Sequence, residues 1–145
     1  MGAGPIRIAV AGAAGRMGRS LIDLCRESPD LAITAALERD GSPHLGHDAG
    51  VVAGGEAVGV PVTGKIDDPG NQEIHKGFDV LIDFTAPQAT LEHLAFCRRA
   101  GRRMVIGTTG LSDEDRAVVV EASAECAIVM APYMSVGVNL CLRLL

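Results

Sequence analysis

Three glycines at the spacing G-x-x-G-x-x-G, Gly12, Gly15 and Gly18, stand where a short apolar run, Ile6 to Ala11, gives way to a helical pattern carried by Met17, Leu21, Leu24 and Cys25. That reads as strand, tight turn, helix. The first N–H groups of a helix have no intrahelical partner, and the helix dipole is positive there. The turn is therefore expected to leave donors unpaired at the start of the helix, where an anionic diphosphate can settle with no charged side chain required. Glycine lets the backbone come close to that anion. Twenty residues after Gly18, at the end of a second apolar run from Leu31 to Leu37, stands Glu38. An acidic side chain at this offset accepts hydrogen bonds from the ribose hydroxyls of a dinucleotide. Its neighbour Arg39 pulls the other way. A 2′-phosphate is repelled by Glu38 but pairs with a guanidinium, and Arg16 in the turn is a second cation within the motif. These residue types point to NADH or NADPH without choosing between them. The plainer alternatives are a solvated charge pair at a strand end and a glycine turn that serves packing alone.

The elements that must position these residues follow from the pattern of apolar runs and breakers. Strands are expected over Ile6–Ala11, Leu31–Leu37, Val58–Val62, Asp79–Phe84, Met104–Ile106 and Ala127–Ala131. Pro61 confines the third to a sheet edge, where a missing N–H costs little. A helix is expected from Gly15 to Glu27, stopped by Ser28-Pro29-Asp30, and a short, poorly patterned one over Asp67–His75. Another begins with Pro87 in its first turn and ends at Gly101, and Ser112 with Asp115 three later marks a capping-box start. Gly41 to Gly59 reads as a long turn-rich loop, of the kind that is functional or mobile. Six strands alternating with helices describe a Rossmann-like, doubly wound parallel α/β sheet.

In such sheets ligands bind beyond the carboxyl ends of the strands. Those ends carry Gly12 with Ala13, Ala14, Gly15, Arg16 and Met17; Glu38; Phe84-Thr85; Gly107-Thr108-Thr109; and Ala131-Pro132-Tyr133-Met134. They are expected to converge on one crevice. The first three groups suit the diphosphate and adenosine, and the last two the nicotinamide, with threonine hydroxyls and backbone groups holding its carboxamide. Asp83 reads as a partly buried strand-end group accepting backbone hydrogen bonds. No Ser/His/Asp or Cys/His arrangement can be assigned, so no catalytic residue is nominated. His44, His47 and Asp48 are too few for a metal site, and none is nominated.

Composition narrows the function classes. In 145 residues, 48% are hydrophobic, enough for one sizeable core and a single domain. No apolar run has the length of a membrane span, and the N-terminus lacks a basic patch followed by an apolar stretch. A cytoplasmic protein is the expectation. The net charge of −5 argues against a nucleic-acid partner. Arg98, Arg99, Arg102 and Arg103 flank Gly101 and read as the cap of a helix C-terminus. Cys25, Cys97, Cys126 and Cys141 show no metal-binding spacing and read as reduced, buried thiols.

In chain order, V-A-G-A-A-G-R-M-G at 10–18, A-L-E-R at 36–39, D-F-T-x-P at 83–87, V-I-G-T-T-G at 105–110 and S-V-G-V-N at 135–139 make a specific set. The chain resembles dihydrodipicolinate reductase, or 4-hydroxy-tetrahydrodipicolinate reductase, of the bacterial and plant lysine pathway. The resemblance implies an NADH- or NADPH-dependent reductase, in the cytoplasm, acting on a cyclic dihydrodipicolinate-type substrate in diaminopimelate and lysine biosynthesis. It implies that Gly12 to Met17 hold the diphosphate, Glu38 the ribose and Arg39 a 2′-phosphate. It further implies that Gly107 to Thr109 and Ala131 to Met134 flank the nicotinamide, with Thr109 also near the substrate. Where Tyr133 stands, the family usually has Asn. The resemblance also implies a dinucleotide-binding domain over 1–134 and, over 135–145, the start of a helix leading to a substrate-binding and tetramerising domain that this chain lacks. Alone it is then expected to be inactive, while the full-length protein forms a homotetramer. A non-catalytic nucleotide sensor, or a fragment that binds nothing, are the other readings, and titration with NADH and NADPH separates these two.

Overall fold

The computed structural model describes residues 4–130. The chain divides at Asp79 and Val80 into two compact units. The first contains β1 (Ile6–Ala11), α1 (Arg16–Glu27), β2 (Leu31–Leu37), α2 (Ala49–Val52), β3 (Val62–Thr63) and α3 (Gln72–His75). β1 runs parallel to β2, from Ile6 opposite Leu31 to Ala11 opposite Leu37, and β2 runs parallel to β3 through Ala36–Val62 and Leu37–Thr63. The second contains β4 (Val80–Asp83), α4 (Pro87–Ala100), β5 (Arg103–Ile106), α5 (Asp113–Ala122) and β6 (Ile128–Met130). Here β4 runs parallel to β5 from Val80–Arg103 to Asp83–Ile106, and β5 parallel to β6 from Met104–Ile128 to Ile106–Met130. The orders β3-β2-β1 and β4-β5-β6 are the two halves of the doubly wound pattern 3-2-1-4-5-6. The class is the expected one, Rossmann-like α/β with six parallel strands.

β1 and β4 are the most deeply buried strands, with apolar residues that pack on both faces. Ile8, Val10, Val80, Leu81, Ile82 and Ile106 are fully buried. At about 1.5–3 kcal/mol for each large apolar side chain, this burial drives the fold. α1 covers β1 and β2 with Leu21, Ile22 and Cys25, one helical face at i, i+1 and i+4. α4 begins with Pro87, whose missing N–H costs nothing at that position, and ends at Gly101. α5 begins with the expected capping box: Asp115 N–H donates to Ser112 Oγ at 3.1 Å, and Ser112 N–H to Asp115 Oδ2 at 3.0 Å.

Three expectations need correction. The third strand is Val62–Thr63 and not Val58–Val62, because Pro61 pairs outside the sheet in an isolated antiparallel bridge with Asp48. The helix over Asp67–His75 shrinks to Gln72–His75, capped by Asn71, whose Oδ1 accepts from Ile74 N–H. The Gly41–Gly59 stretch is not simply an open loop. It contains α2, and the Asp48 carboxylate accepts from four of its N–H groups: Gly50 at 2.8 Å, Val51 at 3.3 Å, Val58 at 3.0 Å and Gly59 at 2.8 Å. One acceptor thus gathers both ends of a ten-residue span.

Partial burial pushes the Asp48 carboxyl up, but the bonds from Val58, Gly59, Gly50 and Val51 outweigh it and hold the group below its ordinary value of 3.8. A depressed folded-state value means that the stabilisation is fully present above the ordinary carboxylate range and is lost as pH falls through the lower, folded value. Asp48→Ala is expected to lower stability by about 1–2 kcal/mol, the usual cost of losing such a cap. Denaturant unfolding should show the full difference at pH 7 and a progressively smaller one as pH falls below the ordinary value of 3.8.

Candidate functional site

In the first unit, β1 ends at Ala11 and the chain turns through Gly12, whose φ of +78° lies in the region that favours glycine. The turn's own N–H groups are largely taken. Those of Gly12 and Ala13 donate to Leu37 O at 3.0 and 3.1 Å, and that of Gly15 donates to Gly12 O at 3.0 Å. The Ala14 N–H donates to Glu38 Oε1 at 2.8 Å. The donors left for an anion are those at the start of the helix, where the sequence reading put them. They are the first three of α1, on Arg16, Met17 and Gly18, ahead of the first helical bond from Arg19 N–H to Gly15 O. Gly15 caps α1 with no side chain to satisfy them. A Cβ on Gly18 would collide with the Gly12 carbonyl oxygen and Ala13 Cα, so α1 sits hard against the turn.

Glu38 leaves the sheet at the carboxyl end of β2, where its N–H still donates to Thr63 O at 2.8 Å. One carboxylate oxygen is on Ala14 N–H, and the other accepts from the Arg39 N–H at 3.3 Å. The glycine turn and the acidic residue twenty positions beyond Gly18 are thus joined by a direct hydrogen bond. Glu38 is half-buried, while Arg39 and Arg16 are exposed. A half-buried acid beside uncapped helix donors fits a diphosphate with an adjoining diol, and an exposed guanidinium next to it fits a further phosphate.

In the second unit the carboxyl ends of β4 and β5 carry a polar cluster that sequence reasoning missed. Asp83 is 0% exposed. Its partners are side chains and not the backbone groups expected: Thr85 Oγ1 donates to Oδ1 at 2.6 Å, Thr108 Oγ1 to Oδ1 at 3.4 Å, and His93 Nδ1 lies 2.7 Å from Oδ2. A carboxylate only accepts, so Nδ1 carries the hydrogen. The Thr108 hydroxyl accepts in turn from Thr90 Oγ1 at 2.6 Å and from Thr85 N–H at 3.1 Å. That hydroxyl is fully engaged within the protein, whereas Thr109 is exposed. Gly107 N–H donates to Asp83 O at 2.7 Å, and a Cβ there would enter the Phe84 ring. His93 gave no sequence signal because it lies within an α4 pattern read only for its apolar face; its distance from Asp83 is set by the strand-to-helix turn.

The structure thus joins Gly12–Gly15 to Glu38 in one unit, and Gly107–Thr108 to Asp83, Phe84 and Thr85 in the other. Ala131, Pro132, Tyr133 and Met134, with the apolar segment to Leu145, lie outside the described residues. Of the arginines flanking Gly101, Arg98 binds Glu125 side-on at 2.6 and 3.1 Å rather than its own helix end, and Arg99 lies over Phe96. His44 and His47 meet ring edge to face at 6.4 Å. Among the described residues, no group of three or more His, Cys, Asp or Glu could hold a metal ion. Cys25, Cys97 and Cys126 are free and buried. Burial pushes Cys25 up to about 11; burial, then Cys126 and Asp83, push Cys97 up to about 12, so both remain thiols at neutral pH.

Residues 6–134 match the family model described as dihydrodipicolinate reductase, N-terminus. Over 97% of its length the chain is 51% identical to the 4-hydroxy-tetrahydrodipicolinate reductase of Methylococcus capsulatus and 47% identical to that of Nitrosomonas europaea. It spans 50% of the length of each of these curated relatives. A solved structure, the dipicolinate-bound dihydrodipicolinate reductase of Paenisporosarcina sp. TG-14, superposes with a TM-score of 0.67 at 25% identity, covering 94% of this chain and 50% of that one. The family match covers most of the chain: this chain belongs to the dihydrodipicolinate reductases, as their N-terminal part.

Proposed function

We propose that the chain binds NADH or NADPH and is the cofactor-binding part of an enzyme that reduces 4-hydroxy-tetrahydrodipicolinate to tetrahydrodipicolinate in diaminopimelate and lysine biosynthesis. The observation that carries the binding is the 2.8 Å bond between Glu38 Oε1 and Ala14 N–H. It sets an acceptor for the ribose diol beside the first-turn donors of α1, which take the diphosphate. The nicotinamide supplies the hydride when bound. Arg16, Met17 and Gly18 orient the diphosphate through their main-chain N–H groups. Gly12, Ala13, Ala14 and Gly15 shape the turn and leave no side chain in the diphosphate's path larger than a methyl group. Glu38 accepts from the ribose, and Arg39 pairs with a 2′-phosphate.

In the second unit, Gly107, Thr108 and Thr109 bound the nicotinamide: the first two with main chain, Thr109 with its exposed hydroxyl, which also serves the substrate. Ala131, Pro132, Tyr133 and Met134 flank the same ring by their place in the motif. The domain boundary is placed at 134, with 135–145 leading towards a substrate-binding and tetramerising domain, and the full-length protein is read as a cytoplasmic homotetramer without nucleic-acid partners. Three buried, reduced cysteines suit a reducing compartment, and an excess of 18 acidic over 13 basic residues suits the absence of nucleic acid.

Titration calorimetry with the two cofactors tests the ribose assignment. Glu38→Ala is expected to weaken NADH roughly tenfold or more, as the loss of a charge-assisted hydrogen bond does, and NADPH less, because the carboxylate also repels the 2′-phosphate. Arg39→Ala is expected to weaken NADPH about tenfold and NADH by less than about twofold, with the NADPH effect shrinking in high salt. Equal losses for both cofactors in both variants overturn the assignment. For the activity, the chain alone is expected to show no turnover. Fused to the part of the Methylococcus capsulatus relative beyond the matched region, it should oxidise NADH in the presence of 4-hydroxy-tetrahydrodipicolinate. A soluble fusion that binds cofactor but leaves NADH unchanged overturns the proposed reaction.

A further inference from the structure

The buried cluster around Asp83 is used by nothing described so far. A carboxylate with no exposure is costly unless its oxygens are all met by donors. Here they are met by two threonine hydroxyls and an imidazole N–H, and no buried side-chain N or O among the described residues lacks a partner. The donors come from three places in the chain: Thr85 from the turn after β4, Thr108 from the turn after β5, and His93 from α4. The carboxylate therefore fastens both strand-end turns to the helix between them. The Thr108 hydroxyl has used its hydrogen on Asp83 and its lone pairs on Thr90 and Thr85. It cannot rotate towards a ligand without breaking three bonds. Gly107, held by its N–H to Asp83 O and by the Phe84 ring, is fixed on the other side.

We infer that His93 and Asp83 are positioning residues: through Thr85 and Thr108 they hold the Gly107–Thr109 turn in the one conformation that receives the nicotinamide end of the cofactor. The inference rests on the dinucleotide reading above. His93 is 12% exposed at its side chain, and its only required act is to donate from Nδ1 to Asp83. Asparagine places an amide N–H near that Nδ1 position, whereas leucine fills the space and donates nothing. A purely space-filling role for His93 predicts the reverse preference, since leucine replaces its volume better.

The test uses the 145-residue chain, titrated with NADH and with ADP-ribose, which carries the diphosphate and ribose but no nicotinamide. Amide hydrogen exchange is followed at Thr85, Gly107 and Ala14. His93→Leu is expected to weaken NADH about tenfold, the scale on which a misplaced turn acts, while ADP-ribose stays within about twofold. Exchange at Thr85 and Gly107 should quicken at least about tenfold, with Ala14 unchanged. His93→Asn should restore both towards wild type. Thr85→Val, which removes one donor to Asp83 at nearly constant volume, is the companion variant and should behave like His93→Leu; it decides the matter if the leucine chain does not fold. Parallel losses of NADH and ADP-ribose, or leucine outperforming asparagine, overturn the positioning role. A wild-type chain that binds neither ligand overturns the dinucleotide reading itself and this role with it, whereas wild-type binding of both with unmoved variants overturns the inference alone.

Discussion

α1 approaches the turn after β1 so closely that only a residue without a Cβ fits at Gly18, and the shape of the proposed anion site follows from that contact. With the helix pressed on the turn, Gly12 must take a left-handed conformation. The N–H groups of Gly12 and Ala13 then fall on the Leu37 carbonyl at the end of β2. Buried or crowded backbone groups need partners, so the turn satisfies itself first. The donors that remain are those of the helix's first turn, where the axial dipole is also most positive.

Three carboxylates play related parts at successive loops. Glu38 holds Ala14, Asp83 holds Thr85 and Thr108, and Asp48 gathers four N–H groups of the long glycine-rich stretch. In each case a strand end or loop leaves polar hydrogens that the sheet cannot satisfy, and a carboxylate with two oxygens satisfies several at once. What separates them is exposure. Glu38 is half-buried and keeps lone pairs for a ligand. Asp83 is wholly enclosed and can act only through the residues it binds. Asp48 stabilises its own loop.

The family relationship and this geometry bear on different halves of the question. The family-model match over residues 6–134 establishes the family. Glu38 and Arg39 are neighbours at the end of β2, so the two side chains proposed to meet a free ribose diol and its phosphate ester stand side by side in the chain. The buried, protonated thiols take no part in this chemistry, since desolvation keeps their reactive form unpopulated at neutral pH.

The strands Ile6–Ala11 and Leu31–Leu37, the helix stop before Pro29, the Pro87 helix start and the Ser112 capping box were legible in the residues themselves, because each depends on neighbours within a few positions. The pairing of glycine turn and acidic residue was legible too, as a spacing imposed by one strand–turn–helix–strand unit. Tertiary structure alone decided which N–H groups remain for an anion, since that depends on where the Leu37 carbonyl and the Glu38 carboxylate fall. It alone decided that Asp83, His93, Thr85, Thr90 and Thr108 form one cluster, and that Asp48 closes its loop. Those contacts join residues up to 25 positions apart, and no local periodicity encodes a hydrogen bond whose two ends are brought together only when helices fold back onto strands.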